Sequence, residues 1–131
     1  MAMDRQHRRL FVGCSNGVMA VVDADSGRVV TTSPIGSGPD GTVFDQQTGL
    51  IFTANREGTL TVVHEDSADK YSVVDNVATQ YYAKTLALDP KTHKIFLVTA
   101  EMGAKPAPTP EQPRPRPAIV PGTFMVLTVG R

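Results

Sequence analysis

A repeat of just over forty residues constrains this chain more than any other feature. The stretch AMDRQHRRLFVGCSNGVMAVVDADSG around Asp4 aligns with VFDQQTGLIFTANREGTLTVVHEDSA around Asp45. Both align with LALDPKTHKIFLVTAE around Asp89, which continues, after an interruption, in GTFMVLTVG. The aspartates hold one equivalent position and Phe11, Phe52 and Phe96 another, at spacings of about 41 and about 44 residues. That is the length of a four-stranded β-propeller blade.

Inside each repeat the apolar residues recur with period two and β-branched residues are common, the pattern of half-buried strands. In the middle repeat the predicted strands are Thr42–Asp45 (inner), Leu50–Ala54, Thr59–His64 and Tyr71–Asp75 (outer). Gln46–Gly49 and Asn55–Gly58 close the first two hairpins, and Asn16-Gly17 marks the corresponding turn of the first repeat. No window places apolar residues at helical spacing. The expected fold is all-β: one domain, 1–131, of three blades at about 1–33, 41–75 and 84–131, the last lacking its outer strand. The first repeat opens on the tail of an inner strand and the last stops at Arg131 after its third. The chain is therefore expected to be the C-terminal part of a longer propeller standing alone.

These residues resemble the YVTN-type propellers, the YncE-like surface and periplasmic proteins. Leu10–Cys14, Ser15–Gly17, Val18–Asp23 and Ser26–Val30 match that family's strand, turn, V-x-V-I-D strand and T-G-K turn. Gly38–Asp45 and Thr48–Asn55 match its PxGxAxDPxTGRLYVAN continuation. The resemblance covers almost the whole chain and implies the fold, but no catalytic residues, because the family is held together by blade-building positions. Family members usually carry seven blades and an export signal. Here Met1–Arg9 is polar and basic with no apolar run behind it, so a cytoplasmic chain is expected, although a parent protein of this kind is often periplasmic or extracellular.

Each blade has two apolar faces, so three blades in an arc leave two faces uncovered. Candidates for those faces are Leu10, Val12, Val21, Phe96, Val98, Phe124 and Val126. The simplest remedy is a homodimer: twice three blades gives a six-bladed ring, within the usual range of about four to eight, whereas three copies overshoot it. The expected function is a non-enzymatic scaffold or binding module that closes its ring with a second copy and takes a protein or small ligand at a channel mouth. The alternative is a metal-dependent hydrolase or lactonase with its site at the channel centre, where Asp40 of both chains would meet on the two-fold axis.

The segments leading into the inner strands line one mouth of such a channel. Asp40 precedes the second blade, Tyr81, Tyr82 and Lys84 the third, and Asn55 and Arg56 occupy a turn opening at the same mouth. Asp40 and Lys84 are candidates for a small polar ligand, with the two tyrosines as flat walls. The interruption at 101–121, EMGAKPAPTPEQPRPRPAIVP, is too rich in proline to enter a sheet interior. It should project as a largely polyproline-II excursion, either offering Pro113, Pro115 and Pro117 to an aromatic groove or capping the mouth.

Other chemistry finds little footing. Basic and acidic residues balance at 13 each, without the basic stripe of a nucleic-acid binder. Cys14, the one cysteine, excludes an internal disulfide and reads as a buried strand-end residue. His7 and His93 read as exposed turn residues, and His64, Glu65 and Asp66 as neighbours that point to alternate faces, so no metal or cofactor is expected. No Ser, Cys or His is placed as a nucleophile with its base, and Gly36–Gly41 lacks the Lys-Ser/Thr of a phosphate-binding loop.

Overall fold

The computed structural model describes residues 1–130; the end of the third repeat at Arg131 lies outside them. Eleven strands form three antiparallel sheets, with no helix among the described residues. The first sheet is β1 (Ala2–Asp4), β2 (Arg9–Cys14), β3 (Val18–Asp23) and β4 (Val29–Pro34) in sequence order. The second repeats that order with β5 (Pro39–Asp45), β6 (Leu50–Asn55), β7 (Thr59–Ser67) and β8 (Lys70–Ala78). The third has β9 (Thr85–Asp89), β10 (Lys94–Thr99) and β11 (Met125–Val129). No helix is long and apolar enough to cross a membrane.

The repeat governs the turns as well as the strands. Asp4, Asp45 and Asp89 each end the first strand of a sheet and fold a carboxylate back on the turn, accepting from the amides of Gln6 (2.8 Å), Gln47 (3.1 Å) and Lys91 (3.0 Å). Four residues after each aspartate the chain takes a left-handed conformation, at Arg8 (φ 59°), Gly49 (φ 68°) and His93 (φ 57°). Glycine adopts that conformation freely, and the other two residues carry its strain. The Asn16-Gly17 turn is a three-residue loop closed by a Gly17 amide to Cys14 carbonyl bond (3.1 Å), with Gly17 alone left-handed (φ 80°).

Successive sheets stack so that equivalent strands lie together: β1 against β5, β5 against β9, and β4 against β8. The second sheet is thereby covered on both sides. Ile51 and Val63 pack with Phe11, Met19 and Val21 of the first sheet. Phe52, Ala54, Leu60 and Val62 pack with Ile95, Leu97 and Ala83 toward the third.

The outer faces of the first and third sheets have no such cover. Directly paired residues of antiparallel strands share a face. The pairs Met3–Leu10, Leu10–Val22, Val12–Ala20 and Cys14–Val18 therefore define the outer face of the first sheet, and none of these residues enters either core cluster. On the third sheet the corresponding set is Ala87–Phe96 and Val98–Val126, with Phe124 two residues earlier on the same side. Phe124 is 71% and Val126 55% exposed. Val21 is a correction to the sequence reading. It pairs with Phe11, so the pleat turns it inward, and it is fully buried against the second sheet instead of lying on an outer face.

Candidate functional site

Three connections meet at one end of the second and third sheets. They are the turn after β6 (Arg56–Gly58), the link from β8 to β9 (79–84) and the long loop between β10 and β11 (100–124). Backbone bonds lock the first two together. The Tyr82 amide donates to the Arg56 carbonyl (2.9 Å), the Thr79 amide to Gly58 (2.8 Å) and the Arg56 amide to Gly38 (2.9 Å). Ala83, fully buried, anchors the link in the core.

This frame holds the side chains in a set geometry. The Tyr81 and Tyr82 rings meet edge to face, 5.0 Å between centroids at 71°. The Arg56 guanidinium lies 5.7 Å and the Lys84 ammonium 5.8 Å from the Tyr82 ring centre, each a cation–π contact worth about 0.5–1 kcal/mol at an exposed site. Asp40 sits 3.7 Å from Lys84, a partly exposed pair that adds little stability. The structure thus gathers Asp40, Arg56, Tyr81, Tyr82 and Lys84 as the sequence suggested.

Asn55 does not belong with them. It is fully buried, donating from Nδ2 to the hydroxyls of Thr59 (3.1 Å) and Thr61 (2.9 Å), and so supports the turn from inside. Its position is tight because Gly36 passes directly over it, giving its amide to Thr61 Oγ1 (3.1 Å). As the last residue of β6, Asn55 follows the strand pleat inward, whereas Arg56, in the turn, points out.

The proline-rich loop is also placed differently from the expectation. It does not project freely. Its base is tied by the Gly103 amide to the Ala118 carbonyl (2.7 Å), the Val120 amide to Glu101 (2.9 Å) and a Met102–Ile119 bridge, and Pro115 is buried. Folded back, it encloses with the tyrosines a cleft of about 430 Å³ lined by Arg56, Tyr81, Tyr82, Lys105, Arg114, Pro115, Arg116 and Pro117. Alternation of Arg and Pro signalled an extended segment, and nothing in that pattern distinguished a wall of this site from a ligand for another.

A second convergence lies between the first and second sheets. His7 Nδ1 is 2.7 Å from Asp4 Oδ2 and 3.3 Å from Glu65 Oε1, and the ligand atoms of the three lie within 4.8 Å of one another. The sequence set Glu65 beside His64 and Asp66 but not beside His7, because β7 brings it from a different repeat, on the face opposite His64 and Asp66, which pair with each other (2.7 Å). His93, at the turn of the third sheet, reaches across to the second, its Nδ1 2.6 Å from buried Asp45. Asp40 of the hydrolase alternative belongs to no converging group of three His, Cys, Asp or Glu side chains among the described residues.

These carboxylates titrate in opposite senses. Burial alone would raise Asp4 and Asp45, but hydrogen bonds outweigh it and hold both below their ordinary value; the donors are Gln46, His7 and the turn amides for Asp4, and His93, Thr48 and the Gln47 amide for Asp45. Burial, reinforced by the charge of Asp4, pushes Glu65 up. For the depressed pair the stabilisation is present above the ordinary 3.8 and lost as pH falls through their lower folded values. For Glu65 the sign reverses: the favourable contribution is full below 4.5 and lost as pH rises through its raised value. Glu65→Gln, which removes the ionised form, is therefore expected to raise the Tm at pH 7, with the gain shrinking as the pH approaches 4.5 or below. Melting curves at pH 7 and pH 4 check this, and a lower Tm for the variant at pH 7 would contradict it.

No known protein-family model matches the chain, and no curated protein matches its sequence.

Proposed function

We propose that the three sheets are consecutive β-propeller blades of the YVTN type, and that the chain is a non-enzymatic binding scaffold completed by a second copy of itself. The stacking of equivalent strands supports the blade reading, since blades arranged round a channel pack face to face in this way. The observation that carries the dimer is the pair of uncovered apolar faces on the two end sheets, one built on Leu10 and Val12, the other on Phe96, Val98, Phe124 and Val126. Each face presents an apolar patch on the order of several hundred Å², more than soluble monomers usually leave open. In a two-fold ring the first sheet of each copy covers the third sheet of the other, making two equivalent junctions. Four such faces of several hundred Å² each would together reach the size of a standard stable interface, roughly 1,600 Å². Six blades fall in the common range of about four to eight.

Cys14 gives this reading a direct test, because it pairs with Val18 on the outer face of the first sheet and is only half-buried within one chain. In the closed ring it lies at the junction. Its reaction with a thiol reagent is expected to be slow at high protein concentration and to accelerate on dilution toward the dissociation range. A rate that is fast and independent of concentration would count against ring closure through that face.

A further inference from the structure

The cleft beside the tyrosines carries a charge that the overall balance of the chain conceals. Arg56 enters from the turn after β6, Lys105 from one limb of the proline-rich loop, and Arg114 and Arg116 from the other. Four cations thus line about 430 Å³ with no carboxylate among the lining residues. Among the described residues none of the four lies within ion-pair distance of an acid, although Arg8, Arg9 and Lys84 all do. Gathering like charges around a concavity costs repulsion, and a concave site focuses their field on whatever enters. The loop that bears three of them is stiffened rather than loose: Pro113, Pro115 and Pro117 fix the backbone around Arg114 and Arg116, Pro115 is buried, and the base of the loop is hydrogen-bonded shut. The backbone that carries the two arginines is therefore set before any ligand arrives.

From this geometry we propose that the cleft is a binding site for a small phosphorylated molecule carrying at least two phosphate charges. Guanidinium groups present planar forks that match phosphate oxygens two at a time, which a point-charge ammonium cannot do. Arg56 is poised for this role, since its planar group is supported on the Tyr82 ring at 5.7 Å and leaves its N–H edge free. Tyr81, 55% exposed and set edge-on to Tyr82, supplies an apolar wall for the organic part of the ligand. The volume lies in the range typical of small-molecule sites, roughly 300–1,000 Å³. The site is built within one chain and does not depend on ring closure.

Isothermal titration of the full chain with inorganic pyrophosphate, and separately with ATP, tests the proposal at low and moderate salt. Saturable binding at one equivalent per chain is expected, weakening as salt rises. Arg114→Gln and Arg116→Gln should each weaken it by about tenfold, the loss of one charge-assisted pair. Lys105→Gln, on the opposite limb, should weaken it too and guards against an effect of loop rearrangement alone. Arg8→Gln, whose guanidinium is engaged by Asp25 on the first sheet, should leave binding unchanged. Tighter binding of ATP than of pyrophosphate is expected if Tyr81 contacts the organic portion, and Tyr81→Ala should abolish that difference. Absence of saturable binding, or a double Arg114/Arg116 variant that binds as well as the parent, would overturn the assignment.

Discussion

Phe11→Ala is expected to destabilise the protein by about 3–5 kcal/mol, the usual cost of emptying a buried phenylalanine site. Phe11 is fully buried between the first and second sheets, with its ring 5.1 Å from Phe44 and 5.8 Å from Tyr71. Its neighbours sit on strands of two sheets whose positions are fixed by their ladders, so they have little freedom to collapse into the space. The first sheet touches the rest of the chain through this cluster, and its loss should be felt as loosening of the whole sheet. Urea denaturation at a fixed protein concentration reads the effect, the concentration being held because the proposed association would contribute to stability. A change below about 1 kcal/mol would mean that the first sheet does not pack on the second as described.

In the proposed two-chain ring, Val98→Asp and Val126→Asp are each expected to separate the two copies into folded monomers. The two residues are directly paired on the outer face of the third sheet, and Val126 is 55% exposed within a single chain. A carboxylate there is solvated in the monomer but buried without a partner in the ring, a penalty of about 3–5 kcal/mol. The ring would bury one such carboxylate at each of its two junctions, so the loss of dimer affinity is expected to be about ten-thousandfold or more. Far-UV circular dichroism should be unchanged, and Cys14 of the partner face should become freely reactive. Variants that stay dimeric would place the contact elsewhere.

Much of the architecture was legible because it is dictated locally. Period-two alternation marked the strands, and Asp4, Asp45 and Asp89 marked the turns that their carboxylates do close. What could not be read was which face a strand turns to its neighbour and which distant residues meet. Val21 and Val12 look alike in sequence, yet pairing with Phe11 sends Val21 inward while Val12, paired with Ala20, faces out. Asn55 and Arg56 are adjacent, but one obeys the pleat of β6 and the other the turn after it. The Asp4–His7–Glu65 group joins two repeats, and such contacts depend on how sheets stack, which no single repeat encodes.

The candidate site divides in the same way. Arg56, Tyr81, Tyr82 and Lys84 were recognisable from their places in the repeat, and the cation–π contacts on Tyr82 follow once the two links are bound backbone to backbone. The contribution of Lys105, Arg114 and Arg116 was not, because proline-rich composition specifies a stiff extended backbone without specifying where it lies. Burial of Pro115 supplies the missing fact.

The proposed ring fixes a stoichiometry of two chains. Sedimentation equilibrium of the purified chain at low micromolar concentration should give twice the 14.1 kDa of a single chain, and Val98→Asp should return it to that single mass. A wild-type mass of 14.1 kDa at that concentration would exclude the two-chain ring.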